Sequence, residues 1–267
     1  MSDISLSIII PYLNSHEIVR RQVLHLQKIG LNDFKDVELI IVDDGSDIPI
    51  SVPDVFERFT LFQTNDKRPW TSSLARNRAV KIAKGDWCFM IDGDYILSRL
   101  SIEIARAFKG DRLGVRRQFG VLDDKGDFSQ DWKVLQQWGL PLSRLQVKGT
   151  TIPPHPNQFI IRKQLFFDMG GYDEDRIINK TYPQGEDNLF KKTWLQFVTK
   201  GLATQPPVDC RPTVYMFPNG QFCGDVDTNP FGLFHELSRK NPHNPWKGFR
   251  FDNRSTPNPK DIKREGV

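Results

Sequence analysis

Four apolar runs, Leu6 to Ile10, Val37 to Val42, Thr60 to Gln63 and Trp87 to Ile91, are separated by segments of helical periodicity within the first 110 residues. Val19, Val23 and Leu26 make one such face, which runs to a stop signal at Gly30, and Asn14 and Glu17 stand at capping-box spacing ahead of it. Ala75, Ala79, Ile82 and Ala83 line another, ending at Gly85. Near-continuous apolar strands that alternate with amphipathic helices bury both faces of a sheet. The expected fold class is therefore α/β, a doubly wound and mostly parallel sheet with helices on both faces. Ligands of such sheets sit outside the carboxyl ends of the strands, and Asn14, Asp44 and Asp94 all fall at such ends.

Asp92-Gly93-Asp94 closes the Trp87 run and places two carboxylates one residue apart where a buried strand emerges. The glycine lets backbone approach a ligand closely, and the acids offer hard oxygen donors suited to Mg²⁺ or Mn²⁺. Alone, the triplet also reads as an ordinary turn. Asp43-Asp44-Gly45-Ser46 ends the second strand in the same manner. From about Leu113 the pattern is irregular, with Trp132, Trp138, prolines at 153, 154 and 156, and a short strand Phe159-Ile160-Ile161. Gly185-Glu186-Asp187 then leads into a helix with Phe190, Trp194 and Phe197 on one face, so both acids lie in its first turn. Trp194 is assigned to the core. Trp132 and Trp138 stay open between core and a ligand-stacking face, and Pro156-Asn157-Gln158 between ligand hydrogen bonds and loop chemistry. Asp123 to Asp127 reads as a turn between strands. The expected organisation is one domain over 1–224, with halves 1–112 and 113–224, followed by a partly disordered tail over 225–267 rich in Asn, Pro and basic residues.

Composition removes several classes. At 267 residues the chain buries enough apolar surface to fold without staples. The cysteines, Cys88, Cys210 and Cys223, are odd in number and form no CxxC pair, which points to a reducing compartment. No signal peptide opens the sequence and no run is long enough to span a bilayer. The net charge of +4 is mild, and Arg112, Arg116 and Arg117 lack the density of a nucleic-acid arm. A cytoplasmic protein that handles phosphorylated small molecules is expected, with a basic aromatic tail compatible with peripheral attachment to a membrane surface.

Taken together, these residues resemble the family 2 glycosyltransferases of GT-A fold over about residues 5 to 200. The likeness is carried in order by Ile8-Ile9-Ile10-Pro11 with Asn14, by Val42-Asp43-Asp44-Gly45-Ser46, and by Ala75-Arg76-Asn77 ahead of Asp92-Gly93-Asp94. Gly170-Gly171-Tyr172-Asp173-Glu174 followed by Gly185-Glu186-Asp187 completes it. Leu13 replaces a usual aromatic residue and Ala79 a frequent glycine. The resemblance implies transfer of a sugar from a nucleotide diphosphate sugar, UDP-linked, to a hydroxyl of a glycan or lipid-linked acceptor, with inversion and with Mn²⁺ or Mg²⁺ as cofactor. It assigns donor binding to Pro11, Asn14, Asp44, Arg76, Asp92, Gly93 and Asp94, with Asp44 on the nucleobase and Asp43 bracing the loop. Arg76 stays open between a base or phosphate contact and an exposed helical residue. Asp94 would hold the metal and Asp92 would lie nearer the ribose or a metal-bound water; His235 and His243 stay open between completing that site and, the first reading of a lone histidine in a polar tail, plain surface residues. Asp187 would be the general base, and Glu186 would position the acceptor. The competing readings are a nucleotidyltransferase of the same architecture, which would want a glycine-rich loop where Pro11-Tyr12-Leu13-Asn14 stands, and a non-catalytic carbohydrate-binding protein.

Overall fold

The computed structural model describes residues 4–66, 71–137, 154–174, 186–206 and 212–217. Within them the expected alternation is present: β1 (Leu6–Tyr12), α1 (His16–Lys28), β2 (Val37–Asp43), β3 (Phe59–Gln63), α2 (Ser72–Ile82) and β4 (Trp87–Met90). β5 (Tyr95–Ile96), α3 (Arg99–Ala107), β6 (Arg112–Gly114) and β7 (Arg116–Phe119) follow, then a β8 (Val121–Leu122) and β9 (Phe128–Ser129) hairpin and α4 (Trp132–Gln137). The later elements are β10 (Phe159–Arg162), α5 (Lys163–Asp168), α6 (Glu186–Thr199) and β11 (Thr213–Met216).

The main sheet has the order β3-β2-β1-β4-β10-β6. β1 to β4 are parallel neighbours, whereas β10 runs antiparallel to both β4 and β6. The sheet is continuous across position 112, because β10 inserts between β4 and β6. Side chains alternate across the pleat. Ile8, Ile10, Leu39, Ile41 and Phe89 meet α1 and α3 on one face, through Val19, Val23, Leu26 and Ile102. Ile9, Ile40, Val42, Met90 and Phe159 meet Ala75, Ala79, Phe166, Phe190 and Trp194 on the other. Both faces are therefore helix-covered, which explains why β1 and β2 read as unbroken apolar runs. The chain runs outward from β1 through β2 to β3 and returns to β4 on the opposite side of β1. The order thus reverses beside β1, the position at whose carboxyl strand ends sheets of this kind bind ligands.

One local expectation is corrected. Asn14 and Glu17 do not form a capping box; Ser15 is the N-cap residue and makes no side-chain cap bond. Asn14 is drawn into a neighbouring loop, and Glu17 turns outward to pair with Arg20 and Arg21 at 2.8 Å each. Trp194 is buried as expected, while Trp132 is 51% exposed. Trp138 and the tail over 225–267 lie outside the described residues. No helix among the described residues is long and apolar enough to cross a membrane.

Candidate active site

The loops after β1 and β2 are tied to each other. Asn14 adopts a left-handed φ of 50°, which asparagine tolerates better than most residues. Its N–H donates to Ser46 Oγ at 2.8 Å, and its Oδ1 accepts from the Asp47 N–H at 2.8 Å. Asp43 braces this loop, as its two carboxylate oxygens accept the N–H groups of Ser46 and Ile50 at 2.8 Å each. Asp44 is buried beside it. Its N–H donates to the Tyr12 carbonyl at 2.8 Å, and its carboxylate accepts from the Thr71 hydroxyl at 2.9 and 3.0 Å. Pro11 lies within β1 opposite Val42, with its carbonyl turned toward Gly93.

Asp92-Gly93-Asp94 follows β4. A Cβ on Gly93 would meet the Tyr12 ring at 2.6 Å and the Pro11 carbonyl oxygen at 2.9 Å. Gln22 of α1 donates to the Gly93 carbonyl at 2.7 Å and accepts from the Tyr12 hydroxyl at 2.9 Å, so the triplet rests on the first strand and helix. The oxygens of Asp92 are both engaged. Oδ1 pairs with the Arg76 guanidinium and Oδ2 accepts from Gln158 Nε2 at 2.5 Å. Arg76 is therefore not an exposed helical residue. It is 2% exposed, with Nη1 donating to the Ser72 carbonyl at 3.2 Å and Nε unpartnered among the described residues. Asp94 is distinct. Burial and the adjacent Asp92 push its carboxyl up to about 7, the response of an acid whose charge meets too little compensation.

Glu186 and Asp187 stand in the first turn of α6. The helix is seated by Phe190, whose ring stacks on Tyr172 at 4.7 Å and on Phe159 at 5.3 Å between centroids. Burial, then the neighbouring Asp187, holds the Glu186 carboxyl above its usual range. Asp187 Oδ1 accepts from the Asn188 N–H at 2.7 Å. Its other oxygen, Oδ2, lies 3.7 Å from His155 Nε2, while His155 Nδ1 lies 3.7 Å from Asp92 Oδ2. One imidazole thus stands between Asp92 at the end of β4 and Asp187 at the start of α6, its pKa lowered by burial in spite of both carboxylates. Sequence reasoning passed over His155 and left Gln158 undecided. The local mark in the sequence is the pair Pro154 and Pro156 ahead of β10, which restrict the backbone on either side of His155. Asn157 in the same loop accepts from the Tyr172 hydroxyl at 2.8 Å.

Asp44, Asp92 and Glu186 thereby gather about Arg76, with Asp94 beside Asp92 and Asp187 beside Glu186. Arg76 is influenced by Asp92, Glu186 and Asp44 together. Pro11 and Asn14 contribute through backbone and loop contacts. A cavity of about 580 Å³ lies elsewhere; it is lined by Lys81, Phe166, Gly171, Tyr172 and Glu174 among others, and by none of these six acidic and basic residues. Among the described residues no three His, Cys, Asp or Glu side chains are grouped to ligate one metal ion. His235 and His243 lie outside the described residues. The donor chemistry nevertheless suits Mg²⁺ or Mn²⁺, which take few protein oxygens and fill their shells with phosphate and water. Asp92 is committed to Arg76 and Gln158, and Asp94 is the triplet's other carboxylate, raised by burial and by Asp92 against the partial pull of Arg117 and Arg76.

Comparison with known proteins identifies the family and the fold. The family model described as glycosyl transferase family 2 matches residues 7–162. An uncharacterized glycosyltransferase of Mycoplasma genitalium is 30% identical over 111 residues, which is 39% of this chain and 36% of that protein. The chain thus matches about a third of that relative's length. Among solved structures, S. aureus TarS 1–349 superposes with a TM-score of 0.53 at 17% identity, covering 90% of this chain and 66% of that one. S. aureus TarS gives 0.52 at 16% identity over 94% and 44%. Those two likenesses carry the GT-A architecture, and the family model covers more than half of the sequence: the chain belongs to glycosyl transferase family 2.

Proposed function

We propose that this protein transfers a sugar from a nucleotide diphosphate sugar, UDP-linked, to a hydroxyl of a glycan or lipid-linked acceptor, with inversion at the anomeric carbon. The observation that supports this reading most is the approach of Asp92, at the end of β4, and Asp187, at the start of α6, to opposite nitrogens of the same imidazole. Inverting transfer needs the incoming hydroxyl and the leaving diphosphate on opposite sides of the sugar carbon, and acids that meet one imidazole from opposite sides suit that requirement.

In this reading the buried Asp44 receives the nucleobase, held in place by Thr71 and the Tyr12 carbonyl. Arg76 fixes Asp92 toward the ribose. Asp94 would hold a Mn²⁺ or Mg²⁺ ion, which supplies Lewis-acid stabilisation to the departing diphosphate. Asp187 takes the proton of the acceptor hydroxyl, and Glu186 orients that acceptor. The test separates the two sides of the site. Asp94→Asn should weaken Mn²⁺-dependent UDP binding measured by calorimetry. Asp187→Asn should leave that binding within about twofold and lower the transfer rate by about a hundredfold or more, the scale of general-base catalysis. Normal transfer by Asp187→Asn would move the base to another residue, and UDP binding with no turnover of any UDP-sugar by the wild type would favour a carbohydrate-binding protein.

A further inference from the structure

We propose that His155 is a positioning residue for Asp187: its ring, fixed at Nδ1 by backbone, turns its single N–H toward the Asp187 carboxylate and orients that acid toward the acceptor. The inference rests on the reading of Asp187 as general base. The Asn157 backbone N–H donates to His155 Nδ1 at 3.3 Å. A backbone N–H cannot be an acceptor, so Nδ1 presents its lone pair and the proton of the neutral ring sits on Nε2. Asp187 Oδ2 lies 3.7 Å from that nitrogen, a separation that a small closing movement over substrates converts to a hydrogen bond. Burial disfavours the charged ring, and the Asn157 N–H on Nδ1 is what places the remaining proton on Nε2.

The loop that carries His155 is itself anchored. The Gln158 N–H donates to the His155 carbonyl at 2.9 Å, and the Gln158 side chain bonds Asp92 at 2.5 Å. Asn157 is fixed to Tyr172, which stacks on Phe190 of the helix bearing Asp187. The imidazole is therefore referenced to the donor-side triplet and to the acceptor-side helix at once. Since Asp187 Oδ1 already accepts from Asn188, the His155 contact would define the remaining orientation of the carboxylate. Orienting a base through a neighbouring ring is the arrangement of catalytic triads with the roles exchanged.

A double-mutant cycle tests this with His155→Ala, His155→Gln, Asp187→Asn and the combined variants. The substrate is the member of a UDP-sugar panel giving the largest thermal shift with Mn²⁺, and its hydrolysis, with water as acceptor, is followed. His155→Ala should lower kcat by about ten- to hundredfold, the rate equivalent of one hydrogen bond to a charged group. KM for the donor and Kd for UDP should stay within about twofold. His155→Gln, which retains an N–H donor, should recover part of the loss, and neither His155 substitution should lower the rate further in Asp187→Asn. Additive losses in the cycle, an unchanged kcat, or a fall in UDP affinity equal to the fall in rate would overturn the proposal. Asp187→Asn at wild-type rate would sink the base assignment, whereas a slow Asp187→Asn beside a fast His155→Ala sinks the role of His155 alone. If His155→Ala fails to fold, the His155→Gln and Asp187→Asn pair completes the same cycle.

Discussion

Gly93 sits where a methyl group has nowhere to go, because one of the atoms it would strike is the Pro11 carbonyl oxygen, which is backbone and cannot rotate away. Gly93→Ala should therefore destabilise the protein by about 1–3 kcal/mol, as overpacking does, and weaken UDP binding by displacing Asp92 and Asp94; urea unfolding and calorimetry would show both. Asp94 carries a second prediction at this scale. A carboxyl raised to about 7 by burial and by Asp92 binds more protons in the native state than in the unfolded chain. Its stabilising contribution is complete below the unfolded pKa, about 3.9, and is lost as pH rises through about 7. The thermal midpoint of the metal-free protein should therefore fall more steeply between pH 4.5 and 7.5 (about one unfolded-to-folded pKa span) than that of Asp94→Asn. Equal slopes would show that Asp94 is not the group responsible. The Ala75-Arg76-Asn77 segment shows why residue roles need partners to be understood. Arg76 is held to Asp92, while the Asn77 amide accepts from the Tyr172 N–H at 2.9 Å and donates to its carbonyl at 2.8 Å.

At the scale of elements, α6 presents Glu186 and Asp187 only because its first turn is clamped against β10 and the Tyr172 loop by aromatic rings. Phe190 touches Phe159, Phe166 and Tyr172, with centroids 5.3, 5.5 and 4.7 Å away. Phe190→Ala removes the shared partner of all three. It should cost about 3–5 kcal/mol in stability, read by urea unfolding, and Phe190→Leu should cost less while still lowering kcat more than it raises the donor KM. A Phe190→Leu enzyme with wild-type kcat would mean that the helix is placed by other contacts. The periodicity of Phe190, Trp194 and Phe197 was legible because a buried helical face repeats every three or four residues. The capping box was misread because Asn14 had a stronger claim on it from the Ser46–Asp47 loop, a partner over thirty residues away by number. Such competition between local and distant hydrogen bonds leaves no trace in spacing.

At the scale of the molecule, a ligand that binds only the assembled site stabilises the native state by mass action. UDP with Mn²⁺ at a hundred times its Kd should add about 2.7 kcal/mol, seen as a raised thermal midpoint that EDTA reverses, whereas UDP with EDTA should add little. A shift indifferent to the chelator would argue against a cation at Asp94. The parallel half of the sheet, its two covered faces and the acids at its strand ends were determined by sequence alone, since pleat and helix periods are local and each apolar run must be buried on both sides. Motif order likewise identified the family. What tertiary structure decided was which distant groups share a partner: β10 entering antiparallel between β4 and β6, Gln158 on Asp92 and His155 between Asp92 and Asp187. Those pairings depend on how a loop is folded back over the strand ends, and a short separation in space between residues far apart in the chain has no periodicity by which to announce itself.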